Sequence, residues 1–139
     1  MVIATADVAR NASSKPVWIR GIDHRLDCHQ LGSRDLTRSP STELAGQKAG
    51  VGTGKIDIAE LHAPFTHQEI ILKNALGLDD DVRINPSGGA LAANPMMSAG
   101  LARIGEASRQ IAGGAAERAV AHATSGPCLQ QNLVCVLEG

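Results

Sequence analysis

The sequence predicts an α/β domain in which helices cover both faces of a mostly parallel sheet. Two observations carry this prediction. Segments with the alternating pattern of a strand are followed, three times in succession, by segments with apolar residues at helical spacing. The 15 glycines and 6 prolines lie mostly at the junctions between these segments. With 139 residues, 43% of them hydrophobic, the chain is long enough for one domain with a buried core.

The first strand and the first helix are predicted over 16–22 and from Ser39 onward. Apolar and polar residues alternate over 16–22, which is typical of a strand. Ser39 followed by Pro40 indicates an N-cap and a proline in the first helical turn. Gly50 begins a glycine-rich stretch that should end this helix.

The second strand and helix are predicted over 56–61 and 66–76. The stretch 56–61 (IDIAEL) has apolar residues at alternating positions. Thr66 and Glu69 have the spacing of a capping box, in which each side chain bonds the backbone N–H of the other. Gly77 is expected to end the helix.

The last third of the chain predicts a third strand and helix and then two further strands. The third strand is short, over 82–84. Asn94 and Pro95 have the pattern of an N-cap with a first-turn proline, so the third helix is expected to begin there. The final strands are predicted over 118–124 and 133–137, which gives the alternation of an α/β sheet.

The composition argues against several classes of function. Lys and Arg total 13 against 14 Asp and Glu, and a net charge of −1 does not favour binding to a nucleic-acid backbone. One Trp, one Phe and no Tyr leave no aromatic platform for stacking bases or sugars. No segment approaches the roughly 20 apolar residues of a membrane span. We therefore expect neither a nucleic acid nor a membrane as a partner.

The cysteines predict reduced thiols rather than a disulfide framework. Cys28, Cys128 and Cys135 are odd in number and lack framework spacing, which favours a cytoplasmic protein. His24, Cys28 and His29 are candidate zinc ligands, but no second Cys/His pair completes a four-ligand site. We expect no bound metal, and we expect Cys135 to be a core residue.

Two loops at the predicted carboxyl ends of strands carry the residues best suited to chemistry. His62 follows the second strand, where an imidazole can exchange a proton near neutral pH or simply bond the next loop. In the loop NPSGGALAANP, Gly88 and Gly89 allow the backbone to approach a substrate closely. Asn94 either caps the following helix or directs its amide at a developing oxyanion. The residues alone leave these alternatives open.

These loops, in this order, resemble the C-terminal half of the thiolase superfamily. The stretch IDIAELHAPF is similar to the family's strand and its His-Asp-Cys-Phe or Asn-Glu-Ala-Phe loop. NPSGGALAANPMMSAGLARIGEA is similar to its Asn-x-x-Gly-Gly, Gly-His-Pro and Ala-Thr-Gly segments, and VCVLEG to its last hairpin. The similarity covers about 16–139 and is greatest to the actinobacterial lipid-transfer-protein and sterol-carrier-type thiolases.

The resemblance implies a half-thiolase fold over 16–139, with a five-stranded mixed sheet and helices on both faces. Residues 1–15 would form a linker and the end of the preceding half's last strand. The family's oligomeric enzymes make or break a carbon–carbon bond beside a coenzyme A thioester, which implies acyl-CoA as substrate and no further cofactor. The nucleophilic cysteine would come from an N-terminal thiolase half, in trans or in an oligomer partner of the same fold. An OB-fold acyl-CoA-binding protein is a further implied partner.

The resemblance also implies roles for individual residues. His62 and Asn94 are similar to the His/Asn pair of initiating ketoacyl synthases, which binds the thioester oxygen. Phe65, Gly88 and Gly89 would line the substrate.

Three departures from the family pattern keep other functions open. Asn94 stands where the family has the histidine of its Gly-His-Pro segment. Pro64 stands where sterol-carrier-type thiolases have an acid/base cysteine, and proline cannot transfer a proton. Cys128 lies near the family's Cys-x-Gly loop, where it is either an acid/base or an idle thiol. The alternatives to a thiolase-like acyltransferase are an aldolase-type cleavage of an acyl-CoA with a partner subunit, and a catalytically degenerate binding or scaffold subunit.

Overall fold

The computed structural model describes all 139 residues and confirms the predicted α/β class, with one five-stranded mixed sheet and helices on both faces. The strands are β1 (Trp18–Leu26), β2 (Ile58–Glu60), β3 (Arg83–Ile84), β4 (Arg118–Ser125) and β5 (Gln131–Glu138). The helices are α1 (Ala6–Ala12), α2 (Pro40–Ala49), α3 (Thr66–Leu76), α4 (Gly89–Ala92) and α5 (Ala99–Ala112), with 3-10 turns at Leu31–Ser33 and Val51–Thr53. None of these helices has the length and apolar character needed to cross a bilayer.

Four of the five strands run in the same direction. The spatial order is β1-β5-β4-β2-β3, with β5 antiparallel to both β1 and β4, and β2 parallel to both of its neighbours. Parallel neighbours need a crossover between them, and α3 and α5 supply these connections. The carboxyl ends of β1, β2, β3 and β4 therefore meet at one edge of the sheet, which we call the carboxyl edge.

The sheet separates two layers of core. Helices α2 and α3 cover one face, and α5 covers the other. Because successive side chains of a strand point to opposite faces, β4 and β5 each contribute apolar residues to both layers. The first layer includes Ala45, Leu72, Leu76, Ala59, Leu61, Val120, Val134 and Val136, and the second includes Ala107, Ile111, Ile58, Ala119, Ala121, Cys135 and Leu137.

The predicted ends of α2 and α3 are confirmed at the residues that mark them. Ser39 occupies the N-cap position of α2 and Pro40 is its first residue. Gly50 and Gly77 follow the last residues of α2 and α3 with φ of 84° and 60°. This left-handed conformation is strained for other residues, which explains why glycine ends both helices.

The capping box predicted at the start of α3 does not form. Phe65 takes the N-cap position, and Thr66 is already the first helical residue. The carboxylate of Glu69 instead accepts a hydrogen bond from Nδ2 of Asn85, with an oxygen–nitrogen distance of 2.7 Å. A tertiary partner has thus replaced the local one, and Glu69 holds the loop after β3.

The N-terminal part of the chain differs from the prediction in two places, residues 1–15 and the end of β1. Residues 1–15 were expected to contain a strand end and a linker, but the alanine-rich stretch Ala6–Ala12 forms α1, consistent with the high helix propensity of alanine. Strand β1 continues to Leu26 rather than ending at residue 22, because it pairs with β5 as far as Gln131. It is an edge strand with one face partly exposed, so its polar residues are tolerated there.

Replacing Gly21 by Ala should destabilise the fold by about 1–3 kcal/mol, the usual effect of overpacking. A Cβ on Gly21 of β1 would overlap the carbonyl oxygen of Ala49, so α2 would have to move away from the sheet. The matched control is Gly52→Ala, because a Cβ there meets nothing within 4 Å. Urea denaturation of both variants measures the difference, and equal midpoints would contradict the close packing of α2 on β1.

Candidate functional site

Three loops bring polar side chains together at the carboxyl edge. They cover 61–65 after β2, 85–94 after β3, and 126–130 between β4 and β5. All three follow strands that run in the same direction, which is where α/β sheets bind their ligands. The predicted site residues lie on these loops.

His62 is 8% exposed and has a defined tautomer. Its Nδ1 accepts a hydrogen bond from the backbone N–H of Thr124 on β4, at a nitrogen–nitrogen distance of 3.3 Å. In a neutral imidazole the nitrogen that accepts carries no proton, so the proton lies on Nε2. Nε2 is 3.1 Å from Oδ1 of Asn94 and donates to it.

Burial keeps the His62 imidazole neutral. It lowers the pKa of His62 below its ordinary value, and the positive charge of Arg103 acts in the same direction, while the hydrogen bond to Asn94 opposes them. Because the ordinary pKa of a histidine, about 6.5, is already below 7, lowering it favours the neutral ring at pH 7. It presents an N–H donor to the carboxyl edge rather than an acidic imidazolium.

Asn94 does not cap α5, contrary to one of the two predicted roles. The helix begins at Ala99 with Ser98 in the N-cap position, and a turn closed by the Ser98 N–H and the Pro95 carbonyl separates it from Asn94. Asn94 is exposed, and its Oδ1 accepts the hydrogen bond from His62. Its Nδ2 makes no hydrogen bond within the chain, so that group is free to donate to a ligand.

The loop after β3 begins at Asn85, which has a left-handed φ of 47°. Its side chain offsets this strain, because Oδ1 accepts from the backbone N–H of Leu61 at 2.7 Å and Nδ2 donates to Glu69 at 2.7 Å. The loops that carry His62 and Asn94 are thereby tied together at their bases.

Gly88 and Gly89 are required by the shape of this loop. They have φ of 90° and 59°, and a Cβ on Gly89 would lie 2.8 Å from Cγ of Asn85. Phe65, the third residue predicted to line a substrate, is 60% exposed, and its ring stacks on His67 with centroids 5.9 Å apart. The structure therefore explains the two glycines without a ligand, and their role in substrate binding stays a prediction.

Cys128 lies on the 126–130 loop, exposed and with a left-handed φ of 52°. Arg34 fixes this turn by donating to the carbonyl oxygens of Pro127 and Cys128, at 3.3 and 2.5 Å. The thiol makes no hydrogen bond to His62 or Asn94. Cys128 shares the carboxyl edge with the pair, and its proposed acid/base role stays a prediction.

The other candidate ligands and thiols make no hydrogen bond to the His62–Asn94 pair. No group of three or more His, Cys, Asp or Glu side chains could hold a metal ion, so the candidate ligands His24, Cys28 and His29 form no such cluster. The sulfur of Cys28 accepts a hydrogen bond from Ser33 at 3.5 Å, which lowers the pKa of this exposed thiol. Cys135 is buried as predicted, and burial raises its pKa to about 11.

A cluster of hydrogen-bonded charged and polar side chains next to the site was not predicted from the sequence. Glu60 on β2 is fully buried and is bonded by Arg103 and Gln110 from α5 and by Ser87 from the 85–94 loop. A signal was present in α5, because Ala99, Arg103, Ala107 and Ile111 fall on one helical stripe, and the arginine belongs to that buried stripe.

A second series of hydrogen-bonded polar side chains lies on the α2 face of the sheet. Asn132 donates through Nδ2 to Ser41 Oγ and to the Leu129 carbonyl, both at 2.7 Å, which leaves Oδ1 facing His122. His122 Nε2 donates to that oxygen at 2.9 Å, and its Nδ1 has no partner. Ser41 extends this series of hydrogen bonds by donating to Asp27.

The fold and these loops define an α/β domain whose candidate site is a neutral imidazole paired with a carboxamide at the carboxyl edge. No family model matches the chain. It is 28% identical over 149 aligned residues to an acetyl-CoA acetyltransferase of Methanothermobacter thermautotrophicus, covering 91% of this chain and 39% of that protein. It is 32% identical over 124 residues to sterol carrier protein 2 of Gallus gallus, covering 76% of this chain and 22% of that protein.

A third relative is the beta-ketoadipyl-CoA thiolase of Acinetobacter baylyi, 34% identical over 67 residues, which covers 48% of this chain and 17% of that enzyme. These three relatives are thiolase-superfamily proteins, and the chain spans less than half of the length of each. The chain is a thiolase-like domain.

Proposed function

We propose that this chain supplies the oxyanion-binding groups of a thiolase-like acyl-CoA enzyme, as its C-terminal half or small subunit. The observation that carries the proposal is the contact of 3.1 Å between His62 Nε2 and Asn94 Oδ1 at the carboxyl edge. The names of the relatives, which include an acetyl-CoA acetyltransferase and a CoA thiolase, support an acyl-CoA as the substrate.

The pair can stabilise negative charge without a change in its own protonation. When a bond forms or breaks beside a thioester, charge develops on the thioester oxygen. On binding of a thioester oxygen, His62 Nε2–H would leave Asn94 Oδ1, to which it donates in the free chain, and would donate to that oxygen together with Asn94 Nδ2–H. The Thr124 N–H fixes the tautomer beforehand, so no proton has to move before the oxyanion forms.

The remaining groups of the reaction are proposed to come from a partner. A nucleophilic cysteine would be supplied by an N-terminal thiolase half, in trans or in an oligomer of the same fold, since the alignments leave most of each relative's length unmatched. An OB-fold acyl-CoA-binding protein is a further proposed partner. Within this chain Cys128 is the candidate acid/base, because it lies on a neighbouring loop of the same edge.

Two alternative functions differ from the thiolase-like reaction in the activity that they predict toward an acyl-CoA. An aldolase-type cleavage would use the same oxyanion pair and would not need an attacking thiol. A degenerate scaffold is favoured by Pro64, which cannot transfer a proton, and by the absence of a hydrogen bond between Cys128 and the pair. A scaffold would bind its partner without supporting any reaction of an acyl-CoA.

The His62→Ala variant should lower kcat for acetoacetyl-CoA thiolysis by about 10²–10³-fold in the complex of this chain with its N-terminal partner. Removal of one oxyanion donor typically has an effect of that size. His24→Ala is the matched control, since His24 is an exposed imidazole on β1. Full activity of His62→Ala would refute the catalytic role. A stable complex of the wild-type chain with its partner that shows no turnover would support the scaffold.

A further inference from the structure

We propose that the side chains of Glu60, Arg103 and Ser87 position the loop that carries Asn94. We call these three side chains the clamp. The inference rests on the proposed role of Asn94 and His62, and it adds the groups that hold the carboxamide against the imidazole. Glu60, Arg103 and Ser87 are positioning residues, because none of them lies in the pair itself.

The carboxylate of Glu60 is the centre of the clamp. It is fully buried, and its two oxygens accept four hydrogen bonds. Oε2 accepts from Ser87 Oγ at 2.6 Å and from Arg103 Nη1 at 3.2 Å. Oε1 accepts from the backbone N–H of Ser87 at 3.1 Å and from Gln110 Nε2 at 2.9 Å.

Half of these bonds go to the loop rather than to the sheet or the helix. If the ion pair served only to join β2 to α5, Arg103 and Gln110 would suffice as partners. Instead, both the hydroxyl and the N–H of Ser87 bond the carboxylate, and Arg103 Nη1 also donates to Ser87 Oγ at 3.1 Å. A charged acceptor strengthens each of these bonds, so Ser87 is held from two directions.

The clamp reaches Asn94 through α4. Ser87 Oγ also accepts from the backbone N–H of Gly89, the first residue of α4, at 3.2 Å. Within that helix the N–H groups of Ala92 and Ala93 donate to the carbonyls of Gly88 and Gly89, so hydrogen bonds connect the start of the turn to the residue before Asn94. Asn94 follows directly, and its position depends on where the clamp holds the start of α4.

Ser87→Ala in the full chain tests the clamp. The substitution removes the hydroxyl that bonds Glu60, Arg103 and the Gly89 N–H, and it leaves the ion pair in place. We expect loss of the nuclear Overhauser contact between the His62 Nε2–H and the Asn94 side chain. We also expect lower backbone order in 86–94 by ¹⁵N relaxation, while the sheet residues are unchanged.

Two comparisons make the result specific. Ser108→Ala removes a hydroxyl from α5 that donates to the Ile104 carbonyl within the helix, so it should leave the His62–Asn94 contact and the loop unchanged. Ser87→Thr keeps a hydroxyl and should restore both readouts. In the active complex, Ser87→Ala should lower kcat by on the order of 10²-fold with little change in KM, as a small misplacement does.

The outcomes separate this inference from the proposed function. An intact His62–Asn94 contact and an ordered loop in Ser87→Ala would overturn the clamp, whatever happens to stability. If Ser87→Ala does not fold, the same readouts in Ser87→Thr decide, and a lost contact there would overturn the clamp. If Ser87→Ala loses the His62–Asn94 contact but the wild-type complex has no turnover, the clamp is supported and the proposed function is refuted.

Discussion

Lowering the pH from 7 to 4 should destabilise the folded chain by roughly 3 kcal/mol through His122 alone. Burial lowers the pKa of His122 to about 4, against 6.5 in the unfolded chain. Between these values the unfolded state binds a proton that the folded state does not. The contribution to stability is therefore complete above about pH 6.5 and is lost as the pH falls toward 4.

The physical reason is the environment of the ring. His122 is 1% exposed, and its Nε2 donates to Asn132. Its Nδ1 has no hydrogen-bond partner, so a proton added there would have no acceptor. Protonation would place an uncompensated charge between the sheet and the α2 layer, close to His62, whose own protonation would add to the repulsion.

The measurement is the free energy of unfolding by urea at several pH values between 4 and 7. His122→Gln keeps a donor toward Asn132 and removes the titrating group, so its stability should vary much less over this range. His24→Gln is the matched control, because His24 is exposed and its replacement should leave the wild-type profile intact. A wild-type profile that is flat from pH 7 to 4 would contradict the buried neutral ring.

Replacing Glu60 by Leu should lower the free energy of unfolding by about 3–5 kcal/mol, the largest effect on stability that we expect. The substitution leaves the guanidinium of Arg103, which is 4% exposed, without its counter-charge. The double variant Glu60→Leu, Arg103→Met removes both charges together and should recover most of the loss, because an apolar pair can replace a buried ion pair.

A surface ion pair provides the comparison for this effect. Lys55 and Asp81 are 2.9 Å apart, but their side chains are 73% and 59% exposed. Lys55→Met should therefore change the free energy of unfolding by less than about 1 kcal/mol. If Glu60→Leu were no more destabilising than Lys55→Met, the desolvated ion pair would not be a main determinant of stability.

The elements that could be predicted are those whose limits depend on backbone geometry. Gly50 and Gly77 end their helices with positive φ, and Pro40 can occupy the first turn of α2, so the sequence marks these points directly. The start of α5 could not be placed from the same rules. Asn94 followed by Pro95 satisfies the local pattern of an N-cap, and the competing partner, His62, is 32 residues away in the chain.

The candidate site was predictable at its two principal residues and not in what holds them. His62 follows the end of β2 and Asn94 lies in the loop after β3, at the edge where α/β sheets collect their functional groups, and the two loops resemble those of a known family. Arg103 falls on the apolar stripe of α5, but Glu60 is 43 residues away in the chain and the stripe does not identify it as the partner. Their pairing follows from the stacking of α5 on β2, a tertiary feature that local pattern does not contain.

The most direct test of the central claim is a side-chain ¹H–¹⁵N correlation spectrum of the chain at pH 7, with nuclear Overhauser contacts from the imidazole of His62. We expect the ring proton on Nε2, an unprotonated Nδ1, and a contact from the Nε2 proton to the carboxamide of Asn94. A ring protonated on Nδ1, or a Nε2 proton without any contact to Asn94, would contradict the account.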